Sequence, residues 1–251
     1  MEYNYAELLR SKLFDAYADK LAYGFSVKPT PVAGIELSAD ELIENRAYWL
    51  GNLGIPADIS TLRYPTQVHG DQWFQASKTV HAEADGIWLD QPQLPAVVFS
   101  ADCTPVMLYA PDIHQGMVLH CGWKSTAQSL AAKGAKHLVA QGADVTELIA
   151  VIGPALSFDG FEVGEEVIEQ LMSTLPEKTD QLFWARINEE TNKWHASVPM
   201  VNALQLGAIG VENVEILPFA TDTNPEWFWS FRAGDWQRQG SFLMLRPEKA
   251  V

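Results

Sequence analysis

Three short apolar runs, each stopped by polar or turn-forming residues, set the strongest limit on how this chain folds. They are Pro95–Cys103, Gly116–Trp123 and Glu147–Ile152, the last closed by Gly153–Pro154. Apolar runs of this length, with few polar interruptions, read as strands buried on both faces, since a strand with one wet face alternates with a period of two. Two of the runs deliver reactive side chains. Cys103 lies in Ser100–Ala101–Asp102–Cys103–Thr104–Pro105, and His120 in Val118–Leu119–His120–Cys121–Gly122–Trp123. Rigid strands with functional side chains at their exits are a common way for a scaffold to present chemistry.

A third such residue is His69, in Thr66–Gln67–Val68–His69–Gly70. Imidazole, thiolate and imidazole together form a ligand set suited to zinc, and three protein ligands leave a fourth position open for water or substrate. The three residues lie on different segments, so spacing alone does not bring them together. Taken singly, each histidine reads equally as a hydrogen-bonded strand end, and the cysteine as a small buried hydrophobe. The same residues also fit two other chemistries. Cys103 with His120 as base would make a metal-free thiol hydrolase, and a two-histidine, one-cysteine set also accepts copper.

The words around these residues resemble a known family. Gln67–Gly70, Ala84–Asp85–Gly86, Ala101–Pro105, His120–Lys124, Ile152–Gly153–Pro154 and Phe161–Gly164 occur in the order seen in the YfiH family, also called the laccase-domain or polyphenol oxidoreductase family. The likeness runs from about Tyr23 to Leu245. It implies an α+β fold with mixed β-sheets packed as a layered α/β/β/α sandwich, and one catalytic domain over residues 1–251. It places the zinc ligands on His69, Cys103 and His120. The implied activity is zinc-dependent phosphorolysis of adenosine- or inosine-type purine nucleosides by inorganic phosphate, with adenosine deamination as a related activity. Laccase-like polyphenol oxidation and a diverged role in peptidoglycan editing or metabolite binding also attach to the family. Oxidation ranks low, because a multicopper site needs more histidines than the six present and no His-x-His pair occurs.

Several positions depart from the family pattern. Lys28 and Lys124 stand where the family has arginine, and the glycines that should follow Lys28 are absent. A lysine does not reproduce the bidentate fork of an arginine. Thr221–Asp222 replaces a Cys–Thr pair, and Ser230–Phe231–Arg232 and Trp236–Gln237–Arg238 replace Ser-Tyr-Arg and Thr-Gly-Arg. Cys103, His120, Asp102 and Lys124 are the candidate catalytic residues. Lys28, His81, Asp85, Trp123 and Arg232 are the candidate substrate-binding residues: two cations, a histidine and an acid for charge and hydrogen bonding, and an indole face for a planar ring.

Composition narrows the classes. A net charge of −15 over 251 residues argues against nucleic-acid polymers and anionic membranes as partners, without excluding a small anion in a local cationic pocket. Two cysteines make no disulfide framework. No segment reaches the roughly 20 apolar residues of a membrane helix, and the N-terminus lacks a basic stretch followed by an apolar one. The expected setting is cytoplasmic, as a monomer or small homo-oligomer.

Periodicity predicts helices over Ala6–Leu21, where Leu9, Leu13, Tyr17 and Leu21 share one face, and over Ser38–Leu50, Ser125–Gln141, Gly164–Leu175 and Pro199–Leu206. Strands are expected over Glu147–Ile152 and Val214–Pro218. Trp227–Phe231 and Ser241–Leu245 are expected to pair as a closing hairpin.

Overall fold

The two strands that carry the site pair directly. Thr104–Ala110 and Gln115–Cys121 form an antiparallel hairpin in which Thr104 faces Cys121 and Pro105 faces His120, so Cys103 and His120 leave the sheet at the same end. In the computed structural model, which describes residues 8–28 and 61–247, this hairpin is the centre of a six-stranded mixed sheet. The strand order is Asn213–Ile216, Ile149–Ile152, Thr104–Ala110, Gln115–Cys121, Gly86–Leu89 and Trp73–Gln75.

Strand alternation sorts the hairpin residues into two cores. Met107, Tyr109 and Val118 face a second sheet of Leu8–Leu9, Leu21–Ser26, Gln239–Leu245 and Ala96–Ser100, where they meet Tyr23, Phe25, Val98, Leu243 and Leu245. Val106, Leu108, Met117, Leu119 and Cys121 face the helices Leu130–Ala140 and Val198–Ala208. Each fully buried large side chain contributes roughly 1.5–3 kcal/mol, which holds the layers in register. His120 shares its face with Val118 and therefore opens toward the space between the sheets. Cys121 faces the helices and is plain core. A smaller sheet of Glu162–Val163, Lys193–Ala196 and Ala185–Asn188, with the helix Glu165–Met172, packs around buried Trp184 beside this end of the hairpin.

The fold is mixed α+β, as expected. The helix expected over Ser38–Leu50 lies outside the described residues. The expected 125–141 helix is split into Trp123–Thr126 and Leu130–Ala140 by Ser129, which takes a left-handed conformation. The Thr126 carbonyl that a continuous helix would use is taken by the Gln205 side chain. The other helices and the two lone strands form with ends shifted by a few residues: Glu165–Met172, Val198–Ala208, Ile149–Ile152 and Asn213–Ile216.

Three expectations are corrected. The Pro95–Cys103 run is not one strand: the strand ends at Ser100, and Cys103 stands at the entrance of a second strand, Thr104–Ala110. The 6–21 segment is not one helix: Leu8–Leu9 is a strand, Lys12–Asp15 a single helical turn capped by Ser11, and Leu21 begins a strand. Leu9, Leu13, Tyr17 and Leu21 all still pack on the core between the sheets. They arrive there because Leu8 and Leu9 pair with Ser26 and Phe25, an edge pairing that outweighs local helix propensity. The closing hairpin also fails to form. Gln239–Leu245 inserts between Leu21–Ser26 and Ala96–Ser100, antiparallel to both. Trp227–Phe231 is a loop, because the Gln239 amide takes the strand partner's place: it accepts from the Trp229 N–H at 3.1 Å and donates to the Trp229 carbonyl at 3.2 Å.

Both Trp229 backbone groups are buried, so Gln239→Ala strands them. The expected loss is about 1–3 kcal/mol of stability, read as a lowered midpoint in urea unfolding, and an unchanged midpoint would refute this reading.

Candidate metal centre

A carboxylate with no solvent exposure organises the site. Asp85, just before the Gly86–Leu89 strand, accepts the backbone N–H groups of Val68, His69 and Gly70 at 3.2, 3.0 and 2.6 Å. Its other contact is the ring of His120, Nδ1 to Oδ1 at 2.8 Å. Burial pushes the Asp85 carboxyl up, but the His120 hydrogen bond and the backbone donors outweigh it and hold the group below its usual range. One side chain thus folds the His69 loop, whose central residue sits at a φ of 60°, and fixes the tautomer of His120. With Nδ1 committed to Asp85, His120 presents Nε2 to the cavity. The Gln67 amide secures the same loop from the other side, donating to the Phe99 carbonyl at 2.6 Å and accepting from its N–H at 2.8 Å.

The ligand atoms of His69, Cys103 and His120 all lie within 4.8 Å of one another. Cys103 Sγ is 3.7 Å from His69 Nε2, close to the roughly 3.5 Å that separates sulfur and nitrogen ligands around a tetrahedral zinc. The two imidazoles meet edge to face, ring centres 4.9 Å apart. Gly122 makes this approach feasible: a Cβ there would stand 2.9 Å from His69 Cδ2 and 3.0 Å from Cys103 Sγ. The donor set, the spacing and the carboxylate behind one histidine fit a metal ion, since ligating imidazoles commonly donate their other nitrogen to a carboxylate.

Without a metal the same groups form an ion pair. Burial pushes the Cys103 thiol up, but hydrogen bonds to His120 and His69 outweigh it and bring it down to about 6. Burial pulls His120 down, but Asp85 and Cys103 outweigh it and raise it to about 9. Cys121 is pushed up by burial and by the nearby negative groups, and stays a thiol.

The other sequence candidates fall into two groups. Trp123 and Arg232 line a cavity together with Asp102 and Cys103. Asp102, at a φ of 85°, does not orient a histidine; its carboxylate accepts the Thr221 hydroxyl at 2.6 Å and the Arg232 N–H at 2.7 Å, tying two loops to the cysteine. Four candidates lie outside the two cavities that meet at Cys103, as lined by the described residues. Lys28 is spent on Asp235 at 3.3 Å and the Pro225 carbonyl at 2.9 Å. Lys124 is exposed with its ammonium 5.7 Å over the Trp123 ring. His81 is exposed, both ring nitrogens engaged by Thr66 and the Tyr64 carbonyl. Asp85 lies beneath His120, too deep to touch a substrate. Gln67, Ser100, Phe231 and Arg238 line a cavity with the three ligand residues and were absent from the candidates. Gln67, Phe231 and Arg238 stand in segments compared with the family pattern, but they come from separate stretches of chain, and nothing in those segments shows that they share a wall with the ligands.

Comparison with known proteins bears on this geometry. Residues 35–246 match a family described as multi-copper polyphenol oxidoreductase laccase. A Synechocystis protein described as a purine nucleoside phosphorylase is 27% identical over 191 residues, covering 66% of this chain and 72% of its own. A Rickettsia conorii protein with the same description is 33% identical over 161 residues, covering 63% of this chain and 65% of its own. The crystal structure of the Bacillus licheniformis hypothetical protein YfiH superposes with a TM-score of 0.83 at 23% identity, over 97% of this chain and 98% of that one. YlmD from Geobacillus stearothermophilus gives 0.82 at 20% identity, over 98% and 100% of the two chains. At those identities the two structures establish the fold.

Two outcomes are expected. In metal-stripped protein, alkylation of Cys103 by iodoacetamide climbs as pH rises through about 6, because the thiolate fraction grows there, and it levels off well below the roughly 8.5 of a free thiol. Asp85→Asn weakens zinc binding about 10–100-fold in a chelator competition, with unchanged affinity as the contrary result.

Proposed function

Because the chain belongs to the multi-copper polyphenol oxidoreductase laccase family, we propose that it is a zinc-dependent purine nucleoside phosphorylase whose metal is held by His69, Cys103 and His120. The observation that carries this reading is the convergence of those three ligand atoms within 4.8 Å at the wall of one cavity, with Cys103 shared by a second. The relatives described as purine nucleoside phosphorylases supply the reaction class. Bound there, zinc supplies a Lewis acid.

The chain's own groups do the remaining work. Asp85 keeps the proton on His120 Nδ1, so Nε2 retains its lone pair for the ion. Trp123 and Phe231 offer aromatic faces to a planar base. Arg232 and Arg238 are the cations that line the cavities. Asp102 holds the loop that carries Phe231 and Arg232 against the cysteine. Adenosine deamination at the same centre is a second activity of this reading.

The histidine inventory weighs against polyphenol oxidation by a copper cluster. Six histidines are present. His81, His114 and His195 bond to other partners, and His137 packs between Trp73 and Trp88. Among the described residues, one group of three can hold an ion. Copper in place of zinc stays compatible with the ligand types, since copper(II) ranks higher in intrinsic affinity. A metal-free thiol hydrolase is the second reading, favoured by a Cys103 thiol brought down to about 6 beside two imidazoles.

Elemental analysis of purified protein and of His69→Ala, coupled to a nucleoside-plus-phosphate assay that resolves adenine from inosine, tests the reading. About one zinc per chain, lost in the variant, with free base released only when phosphate is present, is the expected result. Stoichiometric metal with no product in either assay would refute the phosphorylase, and a metal-free, active thiol would establish the hydrolase.

A further inference from the structure

Two cavities meet at Cys103. One, of about 240 Å³, is walled by Trp123, Leu156, Phe161 and Val198, with Asp102, Thr104 and Arg232 as its polar members. The other, of about 400 Å³, contains Gln67, Ser100 and Arg238 beside His69 and His120. Ala101, Cys103 and the exposed ring of Phe231 belong to both walls.

Each cavity wall includes a residue whose hydroxyl oxygen is itself buried and has no protein partner among the described residues, so that a side-chain rotation is needed to turn it toward a ligand. Thr104 is 0% exposed and Ser100 2% exposed. Neither Thr104 Oγ1 nor Ser100 Oγ has a hydrogen-bond partner among the described residues. Buried polar groups are normally satisfied, and leaving one bare costs about 1–3 kcal/mol. A pair of orphans, one beside each cavity and both within three residues of Cys103, points to ligand atoms that complete them.

The charges of the two walls differ. In the smaller cavity the Asp102 carboxylate belongs to the wall together with Arg232, so an anion there meets a like charge as well as a cation. In the larger one Arg238 stands with no Asp or Glu among the described residues of the wall. Its guanidinium is held over the Phe231 ring at 5.5 Å and by the carbonyls of Trp236 and Gln237.

Phosphorolysis needs two such compartments. A phosphate oxygen donates its electron pair to ribose C1′ and forms the new C–O bond. The C1′–N9 bond breaks, its electron pair leaves with the purine, and the purine takes up a proton. Nucleophile and leaving group therefore lie on opposite sides of C1′, and the products are free base and ribose 1-phosphate.

We propose that the two cavities divide these substrates: the apolar one takes the purine base, with Thr104 bonding a ring heteroatom, and the one containing Ser100 and Arg238 takes the phosphate, with C1′ at the shared wall beside Cys103. This assignment rests on the phosphorylase reading and adds which residues select each substrate. Thr104 is a specificity residue for the base, and Ser100 and Arg238 form the anion subsite.

Three variants of the metal-loaded enzyme test it: Thr104→Val, Ser100→Ala and Arg238→Gln. Separate KM values are measured for nucleoside and for phosphate, alongside calorimetric titrations with free adenine and with inorganic phosphate. Ser100→Ala and Arg238→Gln should each raise the phosphate KM about tenfold or more, as expected for a lost hydrogen bond to a charged group, and leave the nucleoside KM in place. Thr104→Val should do the reverse. The hydroxyl deletions remove unpartnered groups, so melting temperatures should not fall. Equal effects on both KM values, or the opposite pairing, overturn the assignment. If the wild type releases no base from any nucleoside, the phosphorylase reading falls, and the phosphate titration still decides the anion subsite: heat abolished by Ser100→Ala and Arg238→Gln upholds it, and absent or unaltered heat overturns it.

Discussion

The Asp85 carboxylate is the constraint from which the centre is built. A fully buried carboxylate is tolerable only when its oxygens are saturated with donors, and here three consecutive backbone N–H groups and one imidazole supply them. Satisfying one charge therefore dictates the course of the His69 loop and the rotation of His120. The backbone of Asp85 extends the same control: its carbonyl accepts the His120 N–H at 2.7 Å, and its N–H donates to the Gln72 carbonyl at 2.9 Å.

A second carboxylate works on the opposite side of the cysteine. Asp102 binds Thr221 through one oxygen and the Arg232 backbone through the other, and its carbonyl accepts the Leu156 N–H. Asp85 gathers the ligands and Asp102 gathers the walls. Lys28 belongs to this second group as well, since its ion pair with Asp235 steadies the turn in which Asp235 accepts the Ser230 N–H at 2.9 Å. The Lys28 ammonium, expected from the sequence as a substrate contact, is thus also tied to the turn that follows Phe231.

The strand runs and their reactive ends were legible in the sequence because they are local. The apolar run through Val118 reports burial on two faces, the run Pro95–Cys103 marks one strand but hides the start of the next at Thr104, and the family words around His69, Cys103 and His120 identified the residues that converge. What was not legible depends on pairing across the chain. Leu9, Leu13, Tyr17 and Leu21 fit a helical stripe, yet reach the same core through a strand and one turn, since nothing in that segment announces its partner at Phe25–Ser26. Trp227–Phe231 has strand composition, but the Gln239 amide satisfies its backbone from a distance. Side-chain roles followed the same division. Lys124 was singled out by its place in the family word His120–Lys124, yet its side chain is exposed over Trp123, whereas Ser100 and Arg238 share a wall only when the two sheets and the 230s loop close around Cys103.

The dispersal of the centre along the chain bears on how it comes into being. His69 and Cys103 are 34 residues apart, and Asp85 and His120 are 35 apart, so an unfolded chain offers no local chelate and must close long loops before the ligands meet. The partners that align them, Asp85 and the hairpin register, are themselves products of completed folding. The site is in this respect the opposite of small metal domains, whose ligands stand close together on short loops and meet without the rest of the fold.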